Sequence, residues 1–213
     1  MSFGIICFDC DSTLSKIEGI DELGRQSGLF DELVALTNAA MNGELALEQV
    51  YGKRLDLIKP DKTQMDSLAE LYISEMVEGV EEVFSTLLSQ GKQVHIISGG
   101  IRQAILPLAK KLGLPADHVH AVDVLFNDDG SYRDFDQQSP LAKTGGKAIV
   151  CKQLLNGNTP MVMIGDGKTD LEAKNAGATV IGFGGVVERR IVVEQADFFV
   201  KGTSLMAVLP HLV

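Results

Sequence analysis

Short apolar segments alternate with amphipathic ones along most of the chain, and this alternation limits the possible folds more than any other feature. Gly4–Phe8, Gln93–Ile97, Val119–Val122, Met161–Ile164 and Ala178–Ile181 read as buried strands. Val80–Leu88, Ile101–Leu112, Lys147–Leu155 and Leu171–Ala176 carry apolar residues at helical spacing. Strand and helix in turn predict an α/β fold, a doubly wound and mostly parallel sheet covered by helices. Asp197–Val200 adds a short strand near the C-terminus.

Between Ser15 and Val77 the pattern changes. No buried strand is legible there, and Ile20–Gln26, Phe30–Met41, Leu45–Ile58 and Lys62–Met76 read as amphipathic helices, the last two separated at Pro60. A crossover between neighbouring strands rarely needs so many residues. Residues 15–77 are therefore expected to form an inserted helical cap domain over the ligand-binding edge, with residues 1–14 and 78–213 as the catalytic core. A bundle packed beside the sheet, with no part in the site, is the plainer alternative. Asn127-Asp128-Asp129-Gly130 is a strong turn signal and predicts a small hairpin at about 122–135.

The first strand ends in Phe8-Asp9-Cys10-Asp11-Ser12-Thr13, which puts two carboxylates at the sheet edge where α/β proteins bind ligands. Two acids so close repel each other unless a cation or a shared proton relieves them, so the pair implies a divalent-metal site, a catalytic site, or both. Ile164-Gly165-Asp166-Gly167-Lys168-Thr169-Asp170 repeats the arrangement, although a turn and helix cap is its ordinary reading. Four acids at two strand ends exceed what capping requires. Oxygen ligands without a histidine cluster favour magnesium over zinc. Ser98-Gly99-Gly100, taken as a loop after the second strand, can turn N–H groups toward an anion, though ordinary turn chemistry explains it as well. Lys143 and Lys147 flank Gly145-Gly146, where a lysine at a helix start can neutralise a phosphate. Neither a Walker A loop nor a dinucleotide fingerprint is present. Gly182–Gly185 reads as a loop that lets backbone pass close to the site.

Composition excludes several classes. A formal charge of −10 gives nucleic-acid binding little support, and the hydrophobic fraction of 45% is that of an ordinary globular protein. Three scattered cysteines, Cys7, Cys10 and Cys151, suit a reducing compartment. An acid at Asp9 leaves no room for a signal-peptide core, and no apolar run spans a bilayer. A cytoplasmic protein with no membrane partner is expected.

With these motifs assembled, the chain resembles the haloacid-dehalogenase-like phosphohydrolases, and among them the phosphoserine-hydrolysing branch, from Ile6 to about Phe199. Asp9-x-Asp11-Ser12-Thr13 is similar to the family's first motif, Ser98-Gly99-Gly100 to the second, Gly145-Gly146-Lys147 to the lysine motif, and Gly165-Asp166-Gly167-x-Thr169-Asp170 to the fourth. The lysine motif favours Lys147 over Lys143. Glu18-Gly19-Ile20-Asp21-Glu22-Leu23 resembles the segment with the substrate-recognising glutamate, and Met41-Asn42-Gly43 and Arg54 resemble the cap residues that close over an amino acid. The resemblance implies a Rossmann-like core with a helical cap. It implies Asp9 as nucleophile and Asp11 as general acid and base, with Ser98 and Lys147 on the phosphate. Magnesium would be held by Asp9, the Asp11 backbone carbonyl and Asp166, with Asp170 in support. Glu18, Met41, Gly43, Arg54, Ser98, Gly99, Gly100, Lys147 and Thr169 would contact substrate. The implied reaction is magnesium-dependent hydrolysis of phosphoserine through an aspartyl-phosphate, the last step of serine biosynthesis.

Cys10 is expected to point away from the pocket, and Asn42 replaces another small residue frequent in the cap loop. Unlike some longer relatives, the chain is expected to lack an N-terminal regulatory domain ahead of the catalytic unit. His95 reads as a spacer within a strand, His118-x-His120 as a poor metal site, and Arg189 with Arg190 as a helix surface. The competing readings are hydrolysis of phosphohomoserine or phosphothreonine, phosphoryl transfer to another alcohol, and a magnesium-dependent binding protein. A homodimer is left open.

Overall fold

The computed structural model describes residues 3–155 and 157–212. Its centre is β1 (Ile5–Phe8), whose four residues are all buried. Helices α1 (Gly19–Gln26), α2 (Phe30–Met41), α3 (Leu47–Ile58) and α4 (Lys62–Ser74) follow without an intervening strand among the described residues. The chain then runs through α5 (Val80–Ser89), β2 (Gln93–Ile101), α6 (Arg102–Lys111) and β3 (Val119–Val122). A hairpin of β4 (Val124–Phe126) and β5 (Tyr132–Phe135) leads to α7 (Gly146–Leu154) and β6 (Met161–Gly165). The short α8 (Lys168–Leu171), β7 (Thr179–Phe183), α9 (Arg190–Gln195) and β8 (Phe198–Val200) complete the sheet.

Six strands pair in the order β3-β2-β1-β6-β7-β8, and every pairing is parallel. The chain winds outward from β1 to β3, returns to the other side of β1, and winds outward again to β8. The switch in direction lies between β1 and β6, where open α/β sheets leave a crevice at the carboxyl ends of their strands. Phe8 lies opposite both Ile164 and Ile96, and the Asp9 N–H donates to the Ile164 carbonyl at 2.9 Å. The two acidic motifs therefore leave the sheet side by side.

The helical insertion enters and leaves through one neck. Ser15 bridges Met76, the Lys16 N–H donates to Glu75 O, and the Val77 N–H donates to Leu14 O. Lys59 ends α3 in a left-handed conformation, and Pro60 bars its continuation. Asp61 then caps α4 reciprocally with Gln64, at 2.9 and 3.0 Å. The buried face of α4 is Met65, Leu68, Ala69 and Tyr72, the spacing of a helix with one apolar stripe. The hairpin leans on the insertion. Phe135 packs on Tyr51 with ring centroids 5.2 Å apart, and the Lys62 N–H donates to Gly130 O.

Three expectations need correction. The second strand does not stop at Ile97 but continues through Ser98-Gly99-Gly100 to Ile101, because its pairing with β3 shifts register between Ile97 and Ile101 rather than ending. The helix expected over Leu171–Ala176 is divided, with α8 earlier and a 3₁₀ stretch at Glu172–Ala176. Gly182 and Gly184 do not approach the cavity; β-carbons there would lie 2.6 Å from Phe199, so they serve strand packing. Cys7, Cys10 and Cys151 are buried free thiols. No helix among the described residues is long and apolar enough to cross a membrane.

Candidate active site

One cavity sits over the switch point, between the sheet edge and the helical insertion. Asp9, Asp11, Ser98, Gly99, Gly100, Lys147, Asp166 and Thr169 line it from the sheet side, and Glu18, Met41, Tyr51 and Arg54 from the insertion. All of these except Tyr51 were legible as candidates in the sequence.

Beyond Asp9 the chain curls tightly. The Cys10 carbonyl accepts N–H groups from Thr13, Leu14 and Ser15, and Ser12 adopts φ 52°, a left-handed conformation unusual for serine. This curl points Asp9 and Asp11 into the cavity and buries Cys10 outside it. Asp9 Oδ1 accepts the Cys10 N–H at 2.7 Å, and its Oδ2 lies 2.6 Å from Lys147 Nζ. Asp11 Oδ1 accepts from the Gly19 N–H at 2.7 Å and from the Tyr72 hydroxyl at 2.6 Å. Asp11 Oδ2 faces Ser98 Oγ, 3.4 Å away, and that oxygen also accepts the Gly100 N–H at 3.0 Å. Ser98-Gly99-Gly100 thus lines the cavity from an extended strand rather than from a loop.

Lys147, on the first turn of α7, is buried between Asp9 and Asp170, with its Nζ 2.6 Å from each. Asp170 reaches this position because residue 165 is glycine: a β-carbon there would lie 2.1 Å from Asp170 Cγ. The second Asp170 oxygen accepts the Gly167 N–H at 2.9 Å. Burial pushes the Asp170 carboxyl up to about 8, against the pull of Lys147. Burial and the charge of Asp9 push Asp11 and Asp166 each up to about 6. Burial alone would depress the Lys147 ammonium, but Asp170 and Asp9 outweigh it and hold the pKa above the ordinary lysine value.

Asp9, Asp166 and Asp170 each offer a carboxylate oxygen, and these lie within 4.8 Å of one another. A buried, all-oxygen set whose own charges repel suits a hard divalent cation, so the residues present fit a metal of that kind. The Asp11 carboxylate is outside the set, turned toward the insertion.

Arg54 is buried, contrary to the solvated helix face that composition alone would suggest. Its Nη1 donates to Thr37 Oγ1 at 2.9 Å, and Thr37 in turn donates to Asp21 at 2.6 Å. Its Nε is buried without a hydrogen-bond partner. Glu18 accepts from Ser12 Oγ at 2.7 Å, and its carboxyl is raised by burial and by Asp11 and Asp166. Gly43 does not line the cavity. It follows the end of α2 with φ 78° and packs on the Lys168 side chain, a turn position that leaves Met41 facing inward.

Arg189 was misread from sequence. It is buried rather than on a helix surface, 3.2 Å from Asp166, and it donates to Asn38 at 3.0 Å and Asn42 at 3.4 Å on and beside α2. Nothing in the local sequence distinguishes it from exposed Arg190. Tyr72, Thr37 and Asp21 were also missed as site residues. The periodic face of α4 marks Tyr72 as buried, but its acceptor is 61 residues away in sequence. His95 is buried as expected, stacked on His118 at 4.3 Å, with its Nδ1 3.2 Å from His120 Nε2.

A buried carboxylate 2.6 Å from a buried ammonium, with a second carboxylate lining the same cavity and three carboxylates grouped to suit a cation, defines a class. The haloacid dehalogenase-like hydrolase pattern matches residues 6–173, and the chain belongs to that family. Its similarity extends to particular members. It is 38% identical over 199 residues to the phosphoserine phosphatase of Drosophila melanogaster, covering 92% of this chain and 74% of the relative. The phosphoserine phosphatase of Homo sapiens is 38% identical over 197 residues, covering 92% and 88%. A solved phosphoserine phosphatase with a phospho-aspartyl intermediate analogue superposes with TM-score 0.85 at 28% identity, covering 100% of both chains.

Proposed function

We propose that this protein hydrolyses O-phospho-L-serine to L-serine and phosphate through an aspartyl-phosphate on Asp9, the reaction that ends serine biosynthesis. The observation that carries the substrate assignment is Arg54, a buried guanidinium lining the cavity with Nε unpartnered. A buried unmade hydrogen bond is costly, and a carboxylate presented to the planar fork would remove that cost. Glu18 lines the same cavity and suits the substrate ammonium.

The Asp9 carboxylate attacks phosphorus while the bond to the serine oxygen breaks. Asp11 gives its proton to the departing oxygen, forming the serine hydroxyl. Asp11, now ionised, takes a proton from water as that water attacks phosphorus, and the bond to Asp9 breaks to release phosphate. A carboxyl raised to about 6 is suited to both directions. Lys147, Ser98 and the Gly99–Gly100 backbone bind phosphate oxygens. Asp9, the Asp11 carbonyl and Asp166 would hold Mg²⁺, with Asp170 in support, and the ion would supply positive charge against the phosphate dianion. Residues 15–77 act as the cap that excludes water while Asp9 is phosphorylated.

The nearest rival substrates are phosphohomoserine and phosphothreonine, which differ by a methylene or a methyl group that a pocket distinguishes only modestly. Phosphate release with Mg²⁺ from all three decides between them. Phosphoserine is expected to give the highest kcat/KM, and equal or better use of either rival overturns the assignment. Asp9→Asn is expected to abolish turnover and protein-bound phosphate with the fold intact, so normal turnover in that variant removes the nucleophile.

A further inference from the structure

We propose that Tyr72, on α4 of the insertion, is a positioning residue for the general acid, holding Asp11 so that one carboxylate oxygen alone serves the leaving group. The inference rests on the reading of Asp11 as acid and base. Tyr72 is fully buried, and its hydroxyl donates to Asp11 Oδ1 at 2.6 Å. The Gly19 N–H donates to the same oxygen at 2.7 Å. Both partners therefore converge on Oδ1. Oδ2 is left facing Ser98 and Gly100, on the phosphate side of the cavity.

A buried tyrosine ordinarily finds some partner for its hydroxyl, so the bond alone would mean little. The construction around it adds more. Gly19 opens α1, and a β-carbon there would lie 2.1 Å from the Tyr72 hydroxyl and 3.4 Å from Asp11 Oδ1. Only glycine at position 19 lets the phenol and the peptide N–H reach one oxygen together. Glu18, which lines the cavity at the proposed ammonium position, immediately precedes Gly19. Seating the ammonium on Glu18 would thereby steady the Gly19 N–H on Asp11. Both donors come from the insertion, so the acid is fully oriented only while the insertion is docked over the sheet edge.

The requirement for an acid depends on the leaving group. A serine alkoxide must be protonated as it departs, whereas acetate leaving acetyl phosphate needs no proton. Since kcat/KM reports the first phosphoryl transfer, the two substrates separate help to the leaving group from handling of the phosphate, and KM for phosphoserine reports recognition by Glu18 and Arg54 separately. Tyr72→Phe keeps the ring and removes only the donor. It is expected to lower kcat/KM for phosphoserine about tenfold, the upper end of what one hydrogen bond between neutral groups contributes, and to leave kcat/KM for acetyl phosphate within about twofold of wild type. KM for phosphoserine should change little while kcat falls. Gly19→Ala, which would push the phenol away, should give the same selective loss. Equal losses on both substrates in either variant would mark Tyr72 as merely structural, and no loss on phosphoserine would remove its role altogether. Asp11→Asn assayed on the same pair distinguishes the two readings. If it lowers both substrates equally, the assignment of Asp11 fails. If it is selective while Tyr72→Phe is not, only the inference about Tyr72 fails.

Discussion

On the proposed function, a single side chain tells an amino acid from a bare phosphate. Arg54 is held by the Arg54–Thr37–Asp21 chain at 2.9 and 2.6 Å, and its Nε is buried without a hydrogen-bond partner. Two charge-assisted bonds to a substrate carboxylate are each worth about 1.5–3 kcal/mol, so Arg54→Ala should cost about a hundredfold or more in kcat/KM for phosphoserine. Phosphoethanolamine carries the same ammonium and phosphate but no carboxylate, and its kcat/KM should change by less than about threefold in the same variant. Parallel losses on both would mean that Arg54 supports the cavity wall instead. Arg54→Lys should recover only part of the activity, because an ammonium cannot match the planar fork. In sequence, Arg54 beside Lys53 looks like ordinary surface charge, and only its spacing from the other motifs singled it out. Arg189 had no such spacing and was lost among exposed arginines. Its partners, Asp166 and Asn38, are 23 and 151 residues away, a relationship that only the folded chain establishes.

Elements were more legible than residues because periodicity is local and contacts are not. The apolar runs marked all six strands of the sheet, and α2 and β3 match their expected limits. The error in β2 came from treating two glycines as the end of a strand, when a register shift lets the strand continue past them. The sequence also marked the hairpin, from its Asn-Asp-Asp-Gly turn, but not its task. In the structure β5 supports α3 through the Phe135–Tyr51 contact. Tyr51 and Arg54 share that helix and both line the cavity, so the hairpin packs behind that cavity wall. Phe135→Ala removes the aromatic contact, worth about 0.5–1.5 kcal/mol beyond the buried area. Amide exchange in Leu47–Ile58 should accelerate about tenfold, with β6 unchanged. Equal acceleration in β6 would show that the hairpin supports the whole molecule rather than α3.

At the scale of the molecule, the site concentrates acids that the fold alone would not choose to bury. Asp11 and Asp166 are raised to about 6 and Asp170 to about 8, mainly by burial. In the unfolded chain these groups lose their protons near the ordinary carboxylate value of about 4. Between there and about 8 the metal-free native state holds more protons than the unfolded chain, so these groups make its stability fall as pH rises. His95 works in the opposite direction. Burial lowers it to about 4, so the unfolded state takes that proton first as pH falls below about 6.5, and stability drops on the acid side. The two trends overlap in the metal-free protein, but His95 is no part of the carboxylate cluster and cancels when samples with and without Mg²⁺ are compared at one pH. A cation in the cluster must displace protons from Asp166 and Asp170, so its affinity rises with pH. The increase in Tm on adding a fixed, millimolar concentration of Mg²⁺ should therefore be small at about pH 5 and reach about 5–10 °C at about pH 8, the effect of a ligand at roughly a hundred times its Kd. Asp166→Asn should abolish most of the increase at the higher pH. An increase that is equal at both pH values, or larger at the acidic one, would mean that the buried carboxylates are relieved by Lys147 and Arg189 alone and that the cation binds elsewhere.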